Sequence, residues 1–211
     1  MANISALGFS LEFLIYDPTL SITGDAAYRC ALVRTITKDI ENTTTKIHAD
    51  WKNHYAARLT SPSDTGPYRS HGEAVQELFK ALSTGLQFTS DTRLGRPLGT
   101  FDRPRPRRAE VWRSGRSSRH VKISLSALHD LAVRLAPADS NLIKKLVSAF
   151  DHALLKLARL NDPVFAGVAA PQTRIKVQIV QQSVDEIRRI ITEDLGPKLG
   201  VSAGFNAMDG D

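Results

Sequence analysis

A chain of 211 residues, 42% hydrophobic and 24% charged, has the composition of a soluble globular protein and the length to bury a sizeable core. Its single cysteine, Cys30, excludes an internal disulfide framework and a cysteine-built zinc cluster, and no apolar run approaches the ~20 residues that span a bilayer. The net charge of +6 is concentrated: from Arg93 to Arg119 nine arginines meet two acids, Asp102 and Glu110, a local +7 that leaves −1 for the remainder.

In chain order, Leu7, Leu11, Leu14 and Ile15 recur at helical spacing within 4–16, and Asp17-Pro18 ends that helix. This stretch lacks a basic leader and a small-residue cleavage site and carries Glu12 in its middle, so it reads as part of the fold and not as an export signal. A second helix is expected from a cap at Asp25 to about Asn53, with an apolar stripe of Tyr28, Leu32, Val33, Ile36, Ile40 and Ile47 and with Trp51 near its end. Pro62, Gly66 and Pro67 mark a loop over 59–70. A third helix is expected over 71–92, with Val75, Leu78, Phe79, Leu82, Leu86 and Phe88 inward, followed by the arginine segment, which Gly95, Pro97, Gly99, Pro104, Pro106 and Gly115 keep from regular helix. Connections of that length inside a compact domain are unusual and often functional.

Three helices follow: 117–135 with Val121, Leu125, Leu128 and Leu131 inward; about 140–160, capped by Asp139 or Ser140, with Leu142, Leu146, Phe150, Leu154 and Leu157; and 172–195 with Val177, Val180, Val184, Ile187 and Ile191. Gly196-Pro197 supplies the expected stop. No strand-like alternation or internal repeat stands out. The fold class is all-α, with four long helices closing an antiparallel bundle and the short opening helix left without an obvious partner in the chain.

Chemistry-bearing patterns are few. His48 and His54 are six apart, off the spacings that share a helix face, and the remaining histidines are scattered. There is no His-Glu-x-x-His, no Gly-x-Ser-x-Gly and no phosphate-binding glycine loop. Glu73 and Glu77 lie one helical turn apart, as carboxylates on a solvated face commonly do. Asp209, Asp211 and the chain end place three carboxylates within three residues, the oxygen chemistry that hard cations favour. They close an apolar, glycine-punctuated tail suited to packing onto the body of the protein.

Guanidinium groups of the arginine segment can hold phosphate or carboxylate bidentately, and Phe101 and Trp112 can add stacking. Two aromatics among nine arginines make no recognised nucleic-acid module, so the favoured use is structural, with arginines paired to acids and carbonyls across the loop.

Several strings together carry a resemblance. The tail reads Gly-Phe-Asn-Ala-Met-Asp-Gly-Asp over 204–211; upstream stand Gly72-Glu73-Ala74-Val75-Gln76-Glu77-Leu78-Phe79 and its continuation to Phe88, Arg93-Leu94-Gly95-Arg96-Pro97-Leu98-Gly99, and Arg107-Arg108-Ala109-Glu110-Val111-Trp112-Arg113-Ser114. In this order they resemble imelysin-like proteins, a bacterial envelope family also classed among candidate metallopeptidases. The resemblance implies an all-helical fold of two bundle-like halves, of which this chain matches the second. Residues 1–20 would be a terminal helix left from a missing first bundle, and 21–211 a C-terminal bundle domain with the arginine-rich loop at 94–116.

The resemblance also implies a periplasmic or envelope-associated setting, a link to iron acquisition, and a divalent metal or iron as cofactor, its identity open. The expected partner is the missing N-terminal bundle or another envelope protein; self-association through the undocked face is the alternative. Glu12 aligns with the acid of the family's Gly-x-His-x-x-Glu motif, whereas Leu7 and Phe9 stand at its glycine and histidine positions.

Phe9 offers no lone pair to a metal. The expected function is therefore a non-catalytic binding protein linked to iron or metal acquisition. Its rivals are a metal-dependent peptidase and an anion- or nucleic-acid-binding module on the arginine loop. Ligand-binding candidates are Glu12, Arg107, Arg108, Trp112 and Arg113; metal candidates are Glu12, Asp209 and Asp211. Opposite charges further predict Arg107, Arg108 or Arg113 near the tail carboxylates or Glu12.

Overall fold

A computed structural model describes residues 4–201. Six principal helices make up most of the described chain, and no strand occurs among the described residues. The chain divides into two compact units, Met1–Arg69 with Arg113–Gly115, and Ser70–Trp112 with Arg116–Asp211.

The first unit is built on α1 (Ile4–Tyr16) and α2 (Ala26–Asp50), which pack on each other. The Asp25 side chain caps α2 by accepting from the Tyr28 N–H at 2.9 Å. The helical path then continues through a widened turn, Trp51–Tyr55, into Ala56–Thr60, beyond the expected end near Asn53. Trp51 stacks on Tyr55, and the hydroxyls of Tyr55 and Tyr68 share a 2.6 Å hydrogen bond. Of the apolar stripe of α2 only Ile36 is buried; Tyr28 and Ile47 are exposed, as is Trp51 beyond the helix end.

The second unit contains α3 (His71–Gln87), α4 (Ser117–Leu135), α5 (Ser140–Leu160) and α6 (Pro171–Ile190). Each packs on its sequence neighbour and α6 closes on α3, giving a four-helix ring. Pairings between α6 and the helical continuation of α3 beyond Gln87 fall in reverse order, Ser90 with Asp185 and Leu98 with Arg174, so that path runs antiparallel to α6. Thr89 with Ser124 and His129 with Phe150 place the other faces. The stripes predicted from periodicity supply the core: Phe79, Leu82 and Leu86 of α3, Val121 and Leu125 of α4, Leu146 and Phe150 of α5, and Val177, Val180, Val184 and Ile187 of α6 are fully buried. Each such side chain removed from water stabilises the fold by about 1.5–3 kcal/mol before entropy is counted.

Both outer helices of this ring run past their expected ends. After α3 a widened turn, Phe88–Leu94, leads into the helical turn Gly95–Leu98; after α6 another, Ile191–Leu195, leads into Gly196–Leu199. Gly196-Pro197 is therefore not the stop. Gly196 is right-handed helical, and the left-handed cap falls at Gly200, φ 68°. A proline in a regular helix clashes with the carbonyl four residues back and cannot donate to it. The widened turn moves that ladder by one residue, the Gly196 N–H bonding the Ile191 carbonyl, and so accommodates Pro197.

Candidate functional site

Glu12 is the one buried polar residue of the first unit among the described residues, 7% exposed on the inner side of α1. Its Oε1 accepts two hydrogen bonds at 2.9 Å, from the backbone N–H and the hydroxyl of Ser114. Hydrogen bonds to a charged acceptor contribute about 1.5–3 kcal/mol, and here they offset the cost of withdrawing a carboxylate from water. Oε2 receives no hydrogen bond from any described residue, so the carboxylate is fixed through one oxygen and keeps the other open.

Beside it, the Arg113 Nε donates to Asp17 Oδ2 at 2.8 Å, and the guanidinium lies 3.9 Å from the centroid of the Phe13 ring. Asp17 Oδ1 accepts from the Thr19 and Leu20 N–H groups, each at 3.1 Å, which forms the turn that ends α1. The Arg113 hydrogen bond, ahead of the Leu20 and Thr19 amides, holds the Asp17 carboxyl below its ordinary value of 3.8. The pair is close to charge-neutral.

Arg113 and Ser114 owe their position to a tight turn. The Arg116 N–H closes on the Val111 carbonyl at 3.2 Å, with Gly115 at φ 71° and Val111 at φ 50°. A β-branched residue in the left-handed region is strained, and such strain persists where the surroundings over-determine it.

The other sequence candidates distribute as follows. The Arg107 guanidinium lies over the Trp112 ring at 5.8 Å. Arg108 is exposed and forms no ion pair with a described residue. Asp209 and Asp211 lie outside the described residues. The structure thus places Glu12 beside the Arg113–Ser114 turn. It adds two residues that sequence reasoning missed: Ser114, which stood unremarked at the end of a matched string, and Asp17, read only as a helix stop.

The structural use expected of the arginine segment holds for part of it. Arg93 pairs with Glu110 at 2.7 Å, with His120 3.4 Å from the same carboxylate oxygen. Arg96, Arg103, Arg105, Arg107 and Arg108 have no acidic partner among the described residues.

The described residues alone do not complete a metal centre. Glu12 supplies one open oxygen, Phe9 supplies no donor, and Asp17 is engaged by Arg113. No group of three or more His, Cys, Asp and Glu side chains converges among the described residues. No helix among them is long and apolar enough to cross a membrane.

Comparison with curated proteins and with solved structures gives no match. A family model described as imelysin matches residues 3–191, from the first turn of α1 to just past the end of α6, and the Gly204–Asp211 string lies beyond it. That match covers most of the chain, including both sides of the Glu12–Ser114 contact, and the chain belongs to the imelysin family.

Proposed function

We propose that this chain is a non-catalytic binding member of the family, working in the bacterial envelope in iron or metal acquisition, with Glu12 at the centre of its ligand site. The observation that supports this reading most is the state of Glu12: a carboxylate 7% exposed, held rigidly through Oε1 by Ser114, with Oε2 left to accept from a ligand or to face a cation. A preorganised acceptor of this kind binds with little loss of side-chain freedom. Asp209 and Asp211 remain the sequence-level candidates for further oxygen donors.

Hydrolysis asks for more than these residues supply. A metallopeptidase needs several protein donors to hold the ion and leave a position for water, and the residue at the motif's histidine position is Phe9. The test uses the full chain and Glu12→Gln, which is isosteric and keeps an oxygen for Ser114 while removing the charge. Metal content after dialysis and casein cleavage with and without chelator are measured on both. The expected outcome is metal retained by the unaltered chain, lost in E12Q, with no chelator-sensitive cleavage by either. Cleavage that chelator and E12Q both abolish would establish the peptidase reading instead.

A further inference from the structure

Several arginines of the second unit without an acidic partner among the described residues lie in or beside a small hairpin. The Arg103 N–H closes on the Thr100 carbonyl at 3.2 Å, so Phe101 and Asp102 occupy the two central positions of a β-turn. The Arg105 N–H bonds the Pro97 carbonyl at 2.9 Å and ties the returning limb to the helical turn 95–98. Gly99, at φ 55°, lets the limbs approach so closely that an added Cβ would lie 2.5 Å from the Arg103 carbonyl oxygen. Pro104 and Pro106 stiffen the return.

The base of the hairpin is pinned from α6. Arg174 is 5% exposed and donates from Nη1 to the Leu98 carbonyl at 2.5 Å and from Nη2 toward the Gly99 carbonyl at 3.5 Å. Its Nε has no partner, and no carboxylate among the described residues neutralises it. A buried guanidinium held by two carbonyls, its carbon 6.0 Å from the centroid of the Phe101 ring, adds a charge behind a loop whose Arg103 and Arg105 have no acidic partner among the described residues. At the turn, Phe101 is 69% exposed, with Arg96, Arg103 and Arg108 exposed nearby in the chain.

We infer that this hairpin docks the protein onto an anionic membrane surface, its guanidiniums meeting lipid phosphates and the Phe101 ring entering the headgroup region. Guanidinium geometry suits phosphate oxygens, and a single aromatic ring beside basic residues is the composition of an interfacial anchor. A nucleic-acid strand would instead ask for successive exposed rings on which bases stack. The hairpin offers one, since Trp112 is half-buried with Arg107 over its ring. This site is separate in its residues from the Glu12 cluster and does not depend on that reading.

The full chain is sedimented with phosphatidylcholine vesicles with and without phosphatidylglycerol, at low and high salt, and titrated separately with a single-stranded oligonucleotide. Binding is expected only to the phosphatidylglycerol vesicles and to weaken with salt. Replacing Arg96, Arg103 and Arg108 together by alanine is expected to weaken it about a hundredfold, about fivefold per residue. Phe101→Ala should weaken it about tenfold. All four side chains are exposed, so the variants keep the helical circular dichroism of the parent. Equal partitioning to both vesicle types, or a triple variant that binds as the parent does, overturns the proposal. So does oligonucleotide binding that the triple variant loses while the vesicles are ignored.

Discussion

Individual side chains carry most of the functional argument. Glu12 could be picked out of the sequence because it aligns with a family acid, but its consequence could not. What fixes it is Ser114, a hundred residues away, presented by a turn with Val111 at positive φ. No local propensity announces that conformation, since valine ordinarily avoids it. Asp17 makes the point in another way. A helix-ending Asp-Pro is legible in sequence, whereas its second oxygen's bond to Arg113 depends on tertiary placement. Because that bond holds the Asp17 carboxyl below its ordinary value, its stabilisation is present above pH 3.8 and is lost as pH falls through the depressed value. Thermal stability measured down an acid series is therefore expected to fall more steeply below about pH 4 for the parent than for Asp17→Asn. Parallel curves would show that the pair contributes nothing there.

Helices were legible in type and largely in extent. The bounds expected for 4–16 and 117–135 and the Asp139-capped helix to Leu160 match the structure, because strong stripes, caps and prolines agree at those ends. The ends of α3 and α6 were misread for one physical reason. Gly-Arg-Pro-Leu-Gly after α3 and Gly-Pro-Lys-Leu-Gly after α6 look like terminators, yet each follows a widened turn that absorbs the proline and carries the helix one turn further. Each path ends on a glycine at positive φ, Gly99 or Gly200. The two caps differ in surroundings: an added Cβ at Gly99 meets the Arg103 carbonyl oxygen at 2.5 Å, while at Gly200 nothing lies within 4 Å. Gly99→Ala is accordingly expected to cost about 2–3 kcal/mol in urea unfolding, against about 1 kcal/mol for Gly200→Ala. Equal losses would mean that the hairpin does not depend on its close approach.

Across the whole molecule, the two units are stabilised to different degrees. The four-helix unit holds nearly the entire buried core, including Phe79, Phe150 and Phe165, whereas Ile36 is the one buried apolar side chain of the α1–α2 unit among the described residues. The α2 stripe is helical as its spacing indicates, yet little of it is covered. Periodicity reports which residues share a face and says nothing about what covers it. Tyr28, Ile47 and Trp51 remain exposed in consequence. Amide hydrogen exchange should follow this asymmetry, with α2 exchanging through local opening at far lower protection than α5 and α6. Equal protection along α2, α5 and α6 would contradict the division.

At this scale the proposed function takes Glu12 as a fixed acceptor in a chain that binds without cleaving. Metal retained after dialysis, compared between the unaltered chain and E12Q, tests that claim most directly. Retention by the first and loss in the second, at unchanged helical content, is the expected result; equal retention by both would overturn the role of Glu12.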